Sequence, residues 1–449
     1  MVIFFLALLF RVRPARAMNA AVMVGVGFVG ISLVLGLLME TLAPAATAMV
    51  DRFGFDLAII DVGWPAAAAI AFGSEIAMLI IPAGILLNLA LIVLRVTRTV
   101  NIDIWNYWHF AFVGAMVQAI TGNIWLGLVS AMLFSAVILF FADWTAPAVQ
   151  SLMGMPGISL PHGFATAYVL PAVLVNKGID RIPRLRDVSA DPESLRRRFE
   201  VFGEPVLQGL FIGLGIALVA YAGNGGAAVW VPRVLQTAVA LAAVMVLMPR
   251  VVSLLMEGLI PLSEGVRTFL QRSAGKRELY IGLDAAIAIG HPASIATSLL
   301  MVPITLLLAV VLPGNRVLPL GDLATIPFMV AMMVPVVRGN VVRATITATI
   351  LMIPTLYIMN GMAALHSEVA ALANFRFPEN ATLITSMVDG GNWLAALFTV
   401  AARYYWIGHG AILVGLVLLW RRFRRNPVGW HVVAGWERRS EQRSSGGRR

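Results

Sequence analysis

The chain contains no cysteine, so disulfides, thiolate metal sites and cysteine nucleophiles are excluded together. Charge is scarce: 12% of the residues are Asp, Glu, Lys or Arg against 59% hydrophobic, a balance that rules out an ordinary soluble domain. No Walker motif, dinucleotide fingerprint or Ser/His/Asp arrangement is present, so the chain carries no energy-coupling module of its own. Its six histidines fall in no HExxH or other metal-ligand spacing, and neither a metal nor a cofactor is expected. The net charge of +10 comes mainly from short basic connections and the tail after Trp420. Positive charge that flanks apolar segments orients a membrane protein, and no nucleic-acid partner is expected.

What the sequence has is apolar runs. Windows of about 15 to 29 residues cover 19–39, 66–94, 104–121, 124–142, 205–222, 230–248, 286–312, 323–337, 341–359 and 404–420. They predict an all-α polytopic membrane protein with about ten to eleven transmembrane helices. The opening 1–10 is half a span long with its arginines after it, which reads as a truncated or interfacial helix and not as a signal peptide. Threaded alternately, the windows put every dense basic group on one side, the cytoplasm, including Arg95 with Arg98 and everything from Arg421 onward. The other side holds the two longest external connections, 40–65 and 361–392. The resulting division is a short N-terminal segment (1–18), a membrane domain (19–420) with a cytoplasmic loop at 176–203, and a basic tail (421–449) expected to be disordered. Within the loop, Asp191-Pro192 is a plausible helix start for 193–199.

Two segments, 155–171 and 313–327, are too punctuated by Pro and Gly for continuous helices. Their wording is similar: Pro156-Gly157 and Leu160-Pro161-His162-Gly163 echo Pro313-Gly314 and Leu318-Pro319-Leu320-Gly321. Gly63-Trp64-Pro65-Ala66 likewise echoes Gly290-His291-Pro292-Ala293. The echoes predict two related halves with re-entrant hairpins, an arrangement typical of secondary transporters. Gly25, Gly27, Gly30 and Gly36 read as sites of close helix packing.

A charged group at the bilayer centre costs on the order of 3 kcal/mol even on the mildest scale, so intramembrane acids and imidazoles are the candidate site. Asp61 and Trp64, in Asp61-Val62-Gly63-Trp64-Pro65, read either as a broken-helix site or as an external turn with an interfacial indole. His109 shares a helix face with Asn106, with Asp103 nearby as the expected cap. His162 occupies a hairpin tip, where broken backbone survives only beside a cavity or other protein. Asp284 and His291 lie about two turns apart at the start of a window, and Asp322 reads equally as a cap or a ligand contact. Glu204, in Gly203-Glu204-Pro205, reads as a cap or as a possible general base.

These same motifs, with Val100-Asn101-Ile102-Asp103-Ile104-Trp105-Asn106, Phe202-Gly203-Glu204-Pro205 and Gly321-Asp322-Leu323-Ala324-Thr325-Ile326, resemble the galactitol-specific IIC family of bacterial sugar phosphotransferase systems. The resemblance runs from about Gly25 to Trp420 and, more distantly, extends to ascorbate IIC permeases. It implies a homodimer in the bacterial inner membrane, each protomer pairing a scaffold with a mobile substrate-carrying core. Substrate contacts would fall near Asp61 to Trp64, His109, His162 and Asp284; His291 and Asp322 are added from the residues themselves. In such systems a IIB component carries phosphate on Cys and a IIA component on His. A chain without Cys cannot contain IIB, which must be a separate polypeptide. The expected function is a polyol permease, most simply for galactitol, with no catalytic residue of its own. The rivals are a permease for another polyol or ascorbate-like sugar, a gradient-driven carrier, and a membrane-embedded enzyme.

Overall fold

The computed structural model describes residues 2–9, 11–53, 59–103, 105–186, 188, 205–273, 278–375, 377 and 382–437. Glu204, the expected helix at 193–199 and the tail beyond 437 lie outside the described residues.

Helices dominate. Among the described residues, five are long and apolar enough to cross a membrane: Ile124–Met153, Ala227–Val244 within a longer helix, Pro292–Val311, Val341–Leu372 and Tyr405–Arg425. Several windows are not straight spans. The window 66–94 is broken at Ser74, where Ala66–Gly73 and Ala77–Val93 meet at 89°; the Ser74 hydroxyl donates to the Ala71 carbonyl and its backbone turns extended. The window 286–312 divides into Ala286–Ile289 and Pro292–Val311. The window 323–337 becomes a 3-10 turn followed by the short helices Ile326–Ala331 and Met333–Val336. Conversely, both expected external connections begin as helix, because Pro14–Phe53 and Val341–Leu372 run on past their apolar windows.

Asparagine starts many of these helices. Asn123, Asn340 and Asn392 each accept backbone amides of the first turn, satisfying donors that lipid cannot. Close approach is built by small residues: a Cβ at Gly213 would lie 2.6 Å from Ala238 Cα, and one at Gly30 would lie 2.6 Å from Val251 Cγ1. Gly25 and Gly36 face open space, so the packing role expected for them is not seen. Through such contacts Pro14–Phe53, Pro205–Tyr221 and Ala227–Ser273 form one three-helix layer.

Among the described residues, six very short strands organise the rest of the structure: β1 (Ile59–Asp61), β2 (Thr99–Asn101), β3 (Ile158–Ser159), β4 (Tyr280–Gly282), β5 (Val317–Leu318) and β6 (Leu383–Thr385). They form two parallel three-stranded sheets, ordered β5-β1-β6 and β2-β4-β3. Ile60 pairs with both Leu318 and Ile384, and Ile281 pairs with both Val100 and Ile158. Strand pairing satisfies the backbone that the interrupted segments leave without helical partners. The exchange is reciprocal: the first strand of each half lies between the second and third strands of the other. The order strand, broken helix, strand, 3-10 turn, helix, long helix, strand therefore occurs twice. In that order 313–327 corresponds to the segment around β2, although its wording is closer to 155–171; both similar segments need the left-handed turn that Gly157 (φ 83°) and Gly314 (φ 73°) supply.

The basic tail is ordered at its start, contrary to expectation. Pro427–Val433 is a helix whose Trp430 packs edge-on against Trp144, with the Trp144 indole donating to the Trp430 carbonyl at 2.6 Å. The apolar residues among the arginines supply the burial that composition alone concealed.

Candidate functional site

Each sheet is fastened by buried polar side chains. Asp61 Oδ2 accepts from the Asp322 amide at 2.7 Å, and Asp322 Oδ1 accepts from the Trp64 amide at 2.7 Å. Asp322 Oδ2 also takes the Ser386 hydroxyl and the Met387 amide, each at 2.6 Å. Gly63 and Gly321 allow the crossing, since a Cβ at Gly63 would lie 2.8 Å from the Gly321 carbonyl oxygen. Asp61 and Asp322 thus tie three chain segments together, and the half-buried Trp64 indole packs beside this knot. In the other sheet Asp143 accepts from the Thr97 and Thr99 hydroxyls and the Arg98 amide, while the buried Asn88 pairs with the outer edge of β2 through Asn101 and Thr99.

Between the knots lies a chain of buried polar groups. Asn106 Nδ2 bridges Asp103 Oδ2 (2.6 Å) and Asp284 Oδ2 (3.0 Å). His162 Nε2 faces Asp284 Oδ1 at 4.0 Å, too long for a hydrogen bond. The His162 and His109 rings are 4.8 Å apart, and His109 Nδ1 meets Asp389 Oδ1 at 3.1 Å. His162 also stacks on Phe328 at 5.4 Å. The tip conformation fixes one tautomer: His162 Nδ1 accepts from the Phe164 and Ala165 amides, both at 3.3 Å, so Nε2, the nitrogen nearer Asp284, carries the proton of the neutral ring. Gly163 is required here, because a Cβ would sit 2.5 Å from that of His109. Its carbonyl accepts from Asn392, which also caps the helix Trp393–Ala402.

Several atoms of this cluster have no hydrogen-bond partner among the described residues: His109 Nε2, Asp389 Oδ2 and the neighbouring Trp108 Nε1, with both ring nitrogens of His366 close to the Gly390 turn. Buried groups of this kind are normally paired, so the cluster is short of donors and acceptors. A hydroxyl offers one donor and two acceptor positions. One lying between His162 and Asp284 would accept from the imidazole and donate to the carboxylate.

The structure brings His109, His162 and Asp284 together, and Asp103 joins them through Asn106 as well as holding the turn that follows it. Asp61, Trp64 and Asp322 stand apart in the first knot, where Asp322 positions the segment carrying Asp389. His291 is elsewhere: its Nδ1 accepts from Ala293 and starts the helix Pro292–Val311. Asp389, Asn392 and His366 escaped the sequence reading. The only signal for the first two was Asp389-Gly390-Gly391-Asn392, a turn signature within an expected external loop.

Interrupted helices meeting around a polar cluster buried among apolar spans define a multi-pass membrane permease for a polar solute. The chain belongs to the family described as the PTS system sugar-specific permease component, EIIC-GAT, which it matches over residues 1–380. It is 40% identical over 418 residues to the galactitol-specific EIIC component of the PTS system of Escherichia coli K12, covering 92% of this chain and 90% of that protein. It is also 40% identical over 385 residues to a putative permease IIC component of the same strain, covering 86% of each. The protein is therefore a transporter subunit of the phosphotransferase type.

Proposed function

We propose that the protein imports galactitol, binding it between His162 and Asp284 with His109 and Asp389 alongside, and presents it inward for phosphorylation by a separate IIB component that carries a phosphocysteine and is itself recharged by a phosphohistidine IIA. The 4.0 Å gap between a fixed Nε2–H donor and a carboxylate supports this most, because a polyol hydroxyl matches both sides of it. The unpaired atoms of His109 and Asp389 give further hydroxyls partners. The relatives' specificity favours galactitol over other polyols. Asp61, Trp64 and Asp322 act by positioning the hairpins around the substrate. The permease works as a homodimer in the inner membrane, and its C-terminus lies in the cytoplasm, an orientation that the one-sided arginines support.

The test is uptake of labelled galactitol by cells expressing this chain with and without the cognate IIB. Phosphorylated intracellular label that depends on IIB is expected. Accumulation of unphosphorylated galactitol without IIB would replace this reading with a gradient-driven carrier.

A further inference from the structure

The geometry points to a composite site for one anionic glycerophospholipid beside the helix Tyr405–Arg425, its phosphate among arginines and an acyl chain in an adjoining apolar groove. A cavity of about 470 Å³ is lined by Arg95, Arg98, Arg424, Tyr280 and His431, with Asp143. The Asp143 carboxylate is already engaged by Thr97, Thr99 and the Arg98 amide. Arg98 is steadied by the Tyr280 hydroxyl at 3.3 Å, and Arg424 lies over the Trp420 ring at 5.0 Å. Among the described residues no carboxylate forms an ion pair with Arg95, Arg98 or Arg424; Glu278 is the one further acid that acts on Arg98. The cavity therefore presents excess positive charge on rigid supports.

A second cavity of about 640 Å³ shares Val96 and Trp420 with the first. Its wall is apolar, with Leu91, Val129, Met132, Leu413 and Val417. It follows the helix from Trp406 to Trp420, a length of about 21 Å at 1.5 Å per residue, which exceeds the roughly 15 Å of one hydrocarbon leaflet. Only 6% of the apolar window of that helix is buried. Trp420 marks the boundary between the two cavities: its Nε1 donates to the Val96 carbonyl at 2.9 Å, the placement of an indole at a membrane interface. A basic pocket between helices recognises an acidic headgroup. A free phosphate would fill the first cavity and leave the groove empty. A second copy of the chain would cover the groove and leave the arginines unneutralised.

Native mass spectrometry of the purified full chain, given phosphatidylglycerol or phosphatidylcholine, tests this together with thermal unfolding. Preferential retention of phosphatidylglycerol is expected, with a rise in Tm that glycerol phosphate alone does not reproduce. Arg98→Gln with Arg424→Gln should weaken phosphatidylglycerol binding about 30-fold, as loss of two charges at an anionic surface implies. Leu413→Trp, which fills the groove at an exposed position and leaves the arginines intact, should also displace the lipid. Equal retention of both lipids, or unchanged binding by either variant, would overturn the proposal. So would protection by glycerol phosphate equal to that by the lipid, or efficient cross-linking between copies through a cysteine placed at Leu413 in this cysteine-free chain.

Discussion

Replacing His162 by Asn separates the two jobs of this side chain. Its Nδ1 accepts two amides of the hairpin tip, and its Nε2 faces Asp284. An Asn carboxamide oxygen can take over the first job, since short polar side chains accept from amides two and three residues on. It cannot reach the second position or stack on Phe328. The variant should therefore keep the tip and lose the donor to substrate. A buried group left without its partner costs about 1 to 3 kcal/mol, or roughly one to two decades of affinity. His162→Ala loses both functions and should fall in stability as well. Binding of labelled galactitol to purified protein, read beside Tm, distinguishes the outcomes. His162→Asn with parental affinity would show that Nε2 is not a donor to substrate, and a collapse in Tm equal to that of His162→Ala would show that the tip does not accept the substitute.

Three further outcomes are expected, two from the same geometry and one from the distribution of arginine along the chain. Asp322→Asn removes at least one of three acceptor contacts to Trp64, Ser386 and Met387 and should lower stability by about 2 to 4 kcal/mol, with hydrogen bonds to charged groups at about 1.5 to 3 each; an unchanged unfolding midpoint would contradict its role in the knot. Gly163→Ala places a methyl 2.5 Å from the His109 Cβ, so it should cost about 1 to 3 kcal/mol by overpacking and weaken substrate binding, and normal uptake would count against the packing argument. Cysteines introduced singly at Ser194 and Ser444 should resist an impermeant external thiol reagent in intact cells, and labelling of both would reverse the topology.

The membrane character, the interrupted segments and three members of the cluster were legible because composition and Gly/Pro punctuation are local properties. The rest was hidden by distance along the chain. His109 and Asp389 are separated by 280 residues, and Asn106 and Asp284 by 178, so no spacing rule joins them. Asn88, inside one apolar window, and Asp143, just past another, look like stray polar residues until the strand they hold is seen. Asp61 and Asp322 had the opposite fault: both stand out as intramembrane acids, yet backbone amides consume their oxygens. Cap-like chemistry and ligand-binding chemistry use the same residue types, and only the partner atoms tell them apart.

Substrate occupies the space beside His162 in the mechanism proposed here, and a structure of the protein with bound galactitol locates it. The expected result is a hydroxyl oxygen that bridges His162 Nε2 and Asp284 Oδ1 from the side, at about 2.7 to 3.0 Å from each, with His109 Nε2 or Asp389 Oδ2 on a further hydroxyl. Galactitol bound instead against Asp61 and Trp64, with the His162 gap empty, would contradict it.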